Sequence, residues 1–317
     1  MRNRNDNIES WSHRAKKDIK KNWDMYLIVL PVMVWYIIFA YMPMYGAIIA
    51  FKDYKLNLGV LESPWANPFF KHFISFFSGP DFATLIKNTL KISLSSLLFS
   101  FPAPILLALL INELKGKWFP RITQTITYLP HFISLVVICG MISSFTNRNG
   151  FINDIVAMFG GERVTMLAKP NYFLPVYIIS EIWQTIGWGS IIYLSALAGI
   201  DQQLYEAAEI DGAGRIRQTI HITIPGILPT VIILFILRIG GLMSVGYEKI
   251  ILLSNDYNRS VAEVISSYVY RRGLAGGGSG GQLSFSTAVG LFNAVINCVL
   301  VVAANTFSKK FTETSLW

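Results

Sequence analysis

Charge is scarce in these 317 residues. Asp, Glu, Lys and Arg make up only 15% of the chain, while 53% is hydrophobic and the mean hydropathy is +0.46. Soluble domains carry about a quarter charged residues, so this balance excludes that class and points to a membrane protein. Cysteine is rarer still. Cys139 and Cys298 both fall inside apolar runs without ligand-like spacing, which excludes a disulfide framework and a cysteine metal site; they read as small buried apolar side chains. No Ser, Cys or Asp nucleophile stands beside a base, and His13, His72 and His221 form neither a triad nor a ligand set, so no catalysis is assigned. The glycine run GLAGGGSGGQ at 273–282 lacks the Gly-Lys-Ser/Thr of a phosphate loop and reads as a flexible external connector, and the preceding SVAEVISSYVYRRGL at 260–274 reads as a short external helix.

Long apolar runs are what the chain does have. A bilayer core of about 30 Å needs roughly 20 apolar helical residues, and six segments meet that test, near 26–50, 89–113, 123–147, 172–199, 224–247 and 285–308. Pro102, Pro104, Pro130 and Pro175 predict kinks within them. His131, next to Pro130 in YLPHFIS, reads as packing at such a kink. The basic N-terminal stretch and the long first run do not fit a cleaved signal peptide and read as a retained first span. Short basic segments surround alternate span ends: Arg2, Arg4, Arg14, Lys16, Lys17, Lys20 and Lys21, then Lys115, Lys117 and Arg121, then Arg215 and Arg217, then Lys309 and Lys310. This places both termini in the cytoplasm. The excess of Lys and Arg (27) over Asp and Glu (19) therefore reflects topology, with no nucleic-acid partner implied.

Between spans four and five, on the cytoplasmic side, the chain leaves hydrocarbon for LYEAAEIDGAGRIRQTIHITIP at 204–225. Leu204 to Ile210 reads as a helix of about two turns, ended by Asp211 and Gly212, with a second helical segment from about Ala213. Two turns are not stable alone, so something must pack on them. A helix resting on anionic lipid carries Lys and Arg. Here Asp201, Glu206, Glu209 and Asp211 outweigh Arg215 and Arg217, which favours a protein partner.

That stretch resembles the EAA loop of permease subunits of ABC importers, carried by Glu206, Ala207, Ala208, Asp211, Gly212, Ala213, Ile222 and Pro225. Further segments, among them FPAPILLALLINE, QTITYLPHFIS, GWGSIIYLSALAGID, LLSNDYNRSVAEVISSYVYRRGL and the final SLW, are similar to carbohydrate-uptake permeases, in the branch serving oligosaccharides and polysaccharide fragments. The resemblance implies a loop seated in the ATPase subunit as a coupling helix. It also implies a second homologous permease subunit, two ATPase subunits that hold ATP and Mg, and an extracellular solute-binding lipoprotein delivering an oligosaccharide. No cofactor is expected in this chain. The glycine run is longer than the family pattern.

Ionisable groups within a span cost about 2.5–3.5 kcal/mol each on insertion scales and need a partner or water. Glu181 and Arg238 each lie nine residues from a tyrosine, Tyr172 and Tyr247, at the outer end of their spans. Both are therefore expected about 14 Å below the outer surface, where they could pair. A structural lock and a place on the transport path both fit the pair. Trp183, Gln184 and Trp188 follow Glu181 and suit a sugar, with apolar faces and polar rims; packing and interface anchoring suit the tryptophans as well. Asn293 and Asn297, one turn apart in span six, fit either the path or interhelical hydrogen bonding.

The expected architecture is an all-α polytopic membrane protein of six transmembrane helices with the type I ABC importer permease fold, in a bacterial cell membrane. Residues 1–25 form a basic cytoplasmic segment, 26–308 the permease domain with the coupling loop at 200–224, and 309–317 a cytoplasmic tail. An ion-coupled secondary transporter using Glu181 as proton carrier is the alternative.

Overall fold

The computed structural model describes residues 17–114, 116, 118–275, 280–312 and 314–317. Arg2, Arg4, Arg14, Lys16, Lys115 and Lys117 of the topology argument, and 276–279 of the glycine run, lie outside the described residues. Among the described residues the regular structure is helical, apart from an isolated bridge between Lys52 and Trp65. The principal helices are α1 (Trp23–Phe51), α2 (Phe82–Asn112), α3 (Trp118–Phe132), α4 (Leu135–Phe145), α5 (Pro170–Ala198), α6 (Gln202–Ile210), α7 (Arg215–Gly240), α8 (Tyr247–Leu253), α9 (Ile265–Tyr270) and α10 (Gly280–Thr312).

Four helices, α1, α2, α7 and the Gln282–Lys310 part of α10, are long and apolar enough to cross a membrane; the bent pair α3–α4 makes a fifth if it counts as one span. The remaining expected span is α5, whose 29 residues reach far enough but carry Ser180, Glu181, Gln184, Thr185 and Ser190 among the apolar ones. This polar content accompanies a central position: α5 buries Phe173, Tyr177, Ile178, Ser180, Gly187, Ser190, Tyr193 and Leu197. By contrast, none of Trp23–Tyr36 in α1 is buried.

Proline sets the local breaks. Pro102 has no N–H to donate, and the turn before it widens into a π-helical turn, Ser96–Ser100, with Phe101 N bonded to Ser96 O at 3.1 Å. α2 thus runs on without interruption. Pro130 has a larger effect than the kink expected of it. It sits in the 3-10 turn Leu129–Phe132; Ile133 and Ser134 are extended, and α4 leaves at 100° to α3. Span three is consequently broken where the hydropathy pattern runs straight through.

Three further expectations are corrected. α7 stops at Gly240 instead of reaching Tyr247, because the chain turns at Gly241, with Leu242 N on Ile239 O and Ser244 N on Gly241 O. The stretch after Asn258 folds as Arg259–Ala262 and α9, not as one helix. Asn88 Nδ2 there takes the carbonyls of Ser260 and Glu263, at 2.9 and 3.0 Å, and Val264 N bonds Ser267 Oγ. Cys139 is buried, but Cys298 is exposed on the outside of α10.

The largest apolar core joins Ile92 of α2, Ile138 and Ile142 of α4, Phe173 and Ile178 of α5, and Ile250 and Leu253 of α8. α8 is thereby folded into the bundle and is no loose loop. Gly187 lets α5 touch the backbone of α3, since a Cβ built there would overlap the Thr127 carbonyl. Backbone cannot yield as a side chain can. Gly187→Ala is expected to destabilise the protein by about 1–3 kcal/mol, read as a lower melting temperature of the detergent-purified protein; an unchanged melting temperature would contradict the close approach.

Candidate functional site

Glu181 and Arg238 meet, as their positions predict. Arg238 Nη2 lies 3.2 Å from Glu181 Oε1. The other carboxylate oxygen accepts from Ser96 Oγ at 2.7 Å and Ser100 Oγ at 2.9 Å, and Arg238 Nη2 also donates to Ser96 Oγ at 2.5 Å. The serines are one helical turn apart on the π-helical turn of α2, so one short segment presents both hydroxyls to α5. The earlier end of α7 puts Arg238 in its last turn, where a cation also faces unpaired carbonyls favourably. α2, α5 and α7 are tied at one point. The carboxylate is hydrogen-bonded on both oxygens and paired with a guanidinium.

Two cavities abut the pair. One, of about 70 Å³, is bordered by Ser93, Ser96, Tyr177, Ser244 and the pair; the other, of about 280 Å³, by Ser100, Pro104, Thr185, Tyr193 and the pair. Glu181 and Arg238 alone belong to both walls and so separate the two spaces. The smaller is polar, and the buried Ser93 Oγ on its wall has no protein partner. Such a space suits ordered water.

The other predicted residues lie elsewhere. Trp188 stacks on His131 at 4.5 Å and 3°, with Phe132 edge-on at 5.7 Å, across the break between α3 and α4. Trp183 is exposed and Gln184 half-buried; neither borders these two cavities. Asn297 accepts from Met243 N at 3.0 Å and donates to Ser244 Oγ at 2.7 Å, holding the turn after α7 against α10 and touching the rim of the smaller cavity. Asn293 Oδ1 is buried without a hydrogen-bond partner. Sequence reasoning passed over Ser96 and Ser100, although their spacing just before Pro102 in SLLFSFP was visible. It also passed over Lys249, which α8 buries with its ammonium 3.4 Å from Tyr177 O and 4.9 Å from the ring centre. Among the described residues no group of three or more His, Cys, Asp and Glu could hold a metal ion.

At the far end of α7 stands the helix-turn-helix. Asp201 caps α6 by accepting from Gln203 N at 3.0 Å. α6 ends with Gly212 N on Glu209 O and Ala213 N on Ala208 O, and Gly212 takes φ +73°, the left-handed conformation that a side chain disfavours. The next helix begins at Arg215, two residues later than expected. Tyr205 Oη bonds Thr223 Oγ1 at 3.0 Å and fixes α6 to the root of α7. Glu206, Ala207, Asp211 and Gly212 are exposed, Ala208 and Ala213 half-buried, and Leu204 (53%), Ile210 (87%) and Ile216 (79%) display apolar surface.

A helical membrane bundle with a charged centre, and an exposed helix-turn-helix at one end, is the architecture of a membrane permease. Residues 100–313 match the family of binding-protein-dependent transport system inner membrane components, and the chain belongs to that family, the non-catalytic permeases of ABC importers. It is 45% identical over 296 residues to the polygalacturonan/rhamnogalacturonan transport system permease protein YteP of Bacillus subtilis (strain 168), covering 92% of this chain and 90% of that one. To the protein LplB of the same organism it is 42% identical over 309 residues, covering 97% and 94%. The fold matches the solved structure of a bacterial ABC transporter involved in import of the acidic polysaccharide alginate, with TM-score 0.85, 43% identity and 94% and 99% coverage. It matches equally, at TM-score 0.85 and 42% identity, a bacterial alginate ABC transporter in complex with alginate pentasaccharide-bound periplasmic protein, covering 95% and 99%.

Removing one partner of the central pair strands the other. Glu181→Gln and Arg238→Gln are each expected to lower stability by about 1–3 kcal/mol, and the double variant by less than the sum. Melting of the four proteins of this cycle checks it, and additivity would contradict the coupling.

Proposed function

We propose that this chain is one of two homologous permease subunits of an importer that passes an oligosaccharide from an extracellular binding protein across a bacterial membrane by alternating access driven by ATP. The reading rests most heavily on one observation, the rigid and exposed turn of residues 201–218 at the opposite end of α7 from the charged centre. A helix of 26 residues joins the two, so a displacement of the turn is carried along α7 to Arg238. In this reading the turn faces the cytoplasm, consistent with Arg121, Arg215, Arg217, Lys309 and Lys310 at that end of the helices. Both termini lie on that side. Leu204, Ile210 and Ile216 enter a cleft of one ATPase subunit, Glu206 meets its surface, and Asp211, Gly212 and Ala213 hold the turn. ATP and Mg belong to the two ATPase subunits. This chain supplies no catalytic group.

Closure of the ATPase pair moves α6, α7 follows, and the contact of α2, α5 and α7 at Glu181 and Arg238 rearranges, joining or parting the two cavities. Glu181, Arg238, Asn293 and Asn297 then lie on or beside the path, with Trp183, Gln184 and Trp188 offering sugar-facing surface where α5 meets the companion permease. Relatives named for polygalacturonan, rhamnogalacturonan and alginate support a carbohydrate cargo. An ion-coupled carrier has no support: Glu181 is committed to Arg238 and two serines, and the family is that of binding-protein-dependent systems.

Glu206→Lys and Gly212→Pro are each expected to cut ATP-dependent uptake by proteoliposomes of the whole assembly at least about tenfold, more than 1.4 kcal/mol of lost coupling, with insertion of the permease unchanged. Normal transport by both variants would remove the coupling role.

A further inference from the structure

The stretch between α7 and α10 carries charged and aromatic surface that the Glu181–Arg238 centre does not use. Arg259, Glu263, Ser267, Tyr270 and Arg271 border a cavity of about 220 Å³ there. A second cavity, of about 450 Å³, shares Ile251 and Tyr270 with the first and adds Tyr247 and Glu248. The larger by itself falls in the range of small-molecule sites, about 300–1,000 Å³, and Ile251 and Tyr270 stand between it and the smaller. Tyr247 and Tyr270 are stacked, with ring centres 4.8 Å apart and planes at 20°. This region lies across the bundle from the 201–218 turn, at the opposite end of α7.

Two guanidiniums thus border the smaller cavity against one carboxylate, and Glu248 adds a second carboxylate on the wall of the larger. Glu263 pairs with Arg271. Arg259 meets Asp256 at 3.2 Å, but that aspartate's side chain is 90% exposed, and such a surface pair holds its members weakly. Burial first, and then the positive charge of Arg259, draw the Arg271 guanidinium below its ordinary value, and the carboxylate of Asp81 offsets part of this. An anion between the two arginines would relieve that repulsion, and guanidinium forks match a carboxylate bidentately. Glu263 beside them would repel a run of acidic side chains. It would, however, accept hydrogen bonds from hydroxyl groups. Stacked aromatic rings next door offer a face to the C–H surface of a sugar ring.

We propose that this double cavity binds the end of a uronate-containing oligosaccharide: one carboxylate lies between Arg259 and Arg271, neighbouring hydroxyls donate to Glu263, and the next sugar ring rests against Tyr247 and Tyr270. The proposal rests on the oligosaccharide reading above and adds an outward-facing site, distinct from the central pair, that selects acidic sugar.

The whole assembly in lipid nanodiscs, without binding protein, is titrated with trigalacturonate and trimannuronate and with their methyl esters, following intrinsic fluorescence. At least one acid is expected to bind ten times more tightly than its ester, and Arg259→Gln, whose exposed ion pair leaves folding intact by melting temperature, is expected to abolish that preference. Tyr270→Leu should weaken acid and ester alike. Equal binding of acid and ester, no binding of either acid, or an unchanged preference in Arg259→Gln overturns the site. If Arg259→Gln instead weakens docking of the binding protein whether or not it is loaded, the surface reads protein and the proposal fails. Uptake of these trimers by the wild-type assembly separates the two levels: transport with no acid preference sinks this site alone, whereas an assembly that moves no oligosaccharide sinks the functional reading with it.

Discussion

One carboxylate, held by a guanidinium and two hydroxyls inside a hydrocarbon-facing bundle, organises this protein. Without partners Glu181 would have to shed its charge or draw in water. With Arg238 at 3.2 Å and Ser96 and Ser100 at 2.7 and 2.9 Å, it ties three helices together at one polar point. Directional bonds matter more in such a setting, because between lipid-bathed helices the hydrophobic effect does not choose one packing over another.

Several neighbouring features follow from that clasp. The π-helical turn that relieves Pro102 is also what presents Ser96 and Ser100, so a backbone accommodation and the polar centre share the same five residues. The glycine break at 240–241 leaves Arg238 at a helix end, and Asn297 of α10 secures the turn beyond it. α8 folds back to bury Lys249 against Tyr177, one face of the small cavity. The charged centre is therefore continuous with the loops of the outer end and does not stand alone in the bundle.

At the other end of α7 the structure has opposite character. Residues 201–218 are fixed internally by the Asp201 cap, the left-handed Gly212 and the Tyr205–Thr223 bond, yet show little contact outward. The same chain leaves α1 without buried residues between Trp23 and Tyr36, an apolar surface suited to lipid.

The sequence by itself determined the class, the apolar helical character, the acidic turn and the possible pairing of Glu181 with Arg238, because hydropathy, helix-ending glycine and the cost of unpaired charge are local quantities written in residue type and spacing. It did not determine the 100° break after Pro130, since proline's missing donor permits anything from a mild kink to a reversal and the surrounding packing chooses. Nor did it reveal the end of α7 at Gly240, the two-part helix held open by Asn88, the stacking of Trp188 on His131, or the Arg259–Arg271 cavity. Each of these joins residues far apart in the chain or depends on which of several tolerated backbone paths buries more surface. Only the tertiary structure could decide them, because the deciding energy lies in contacts between helices.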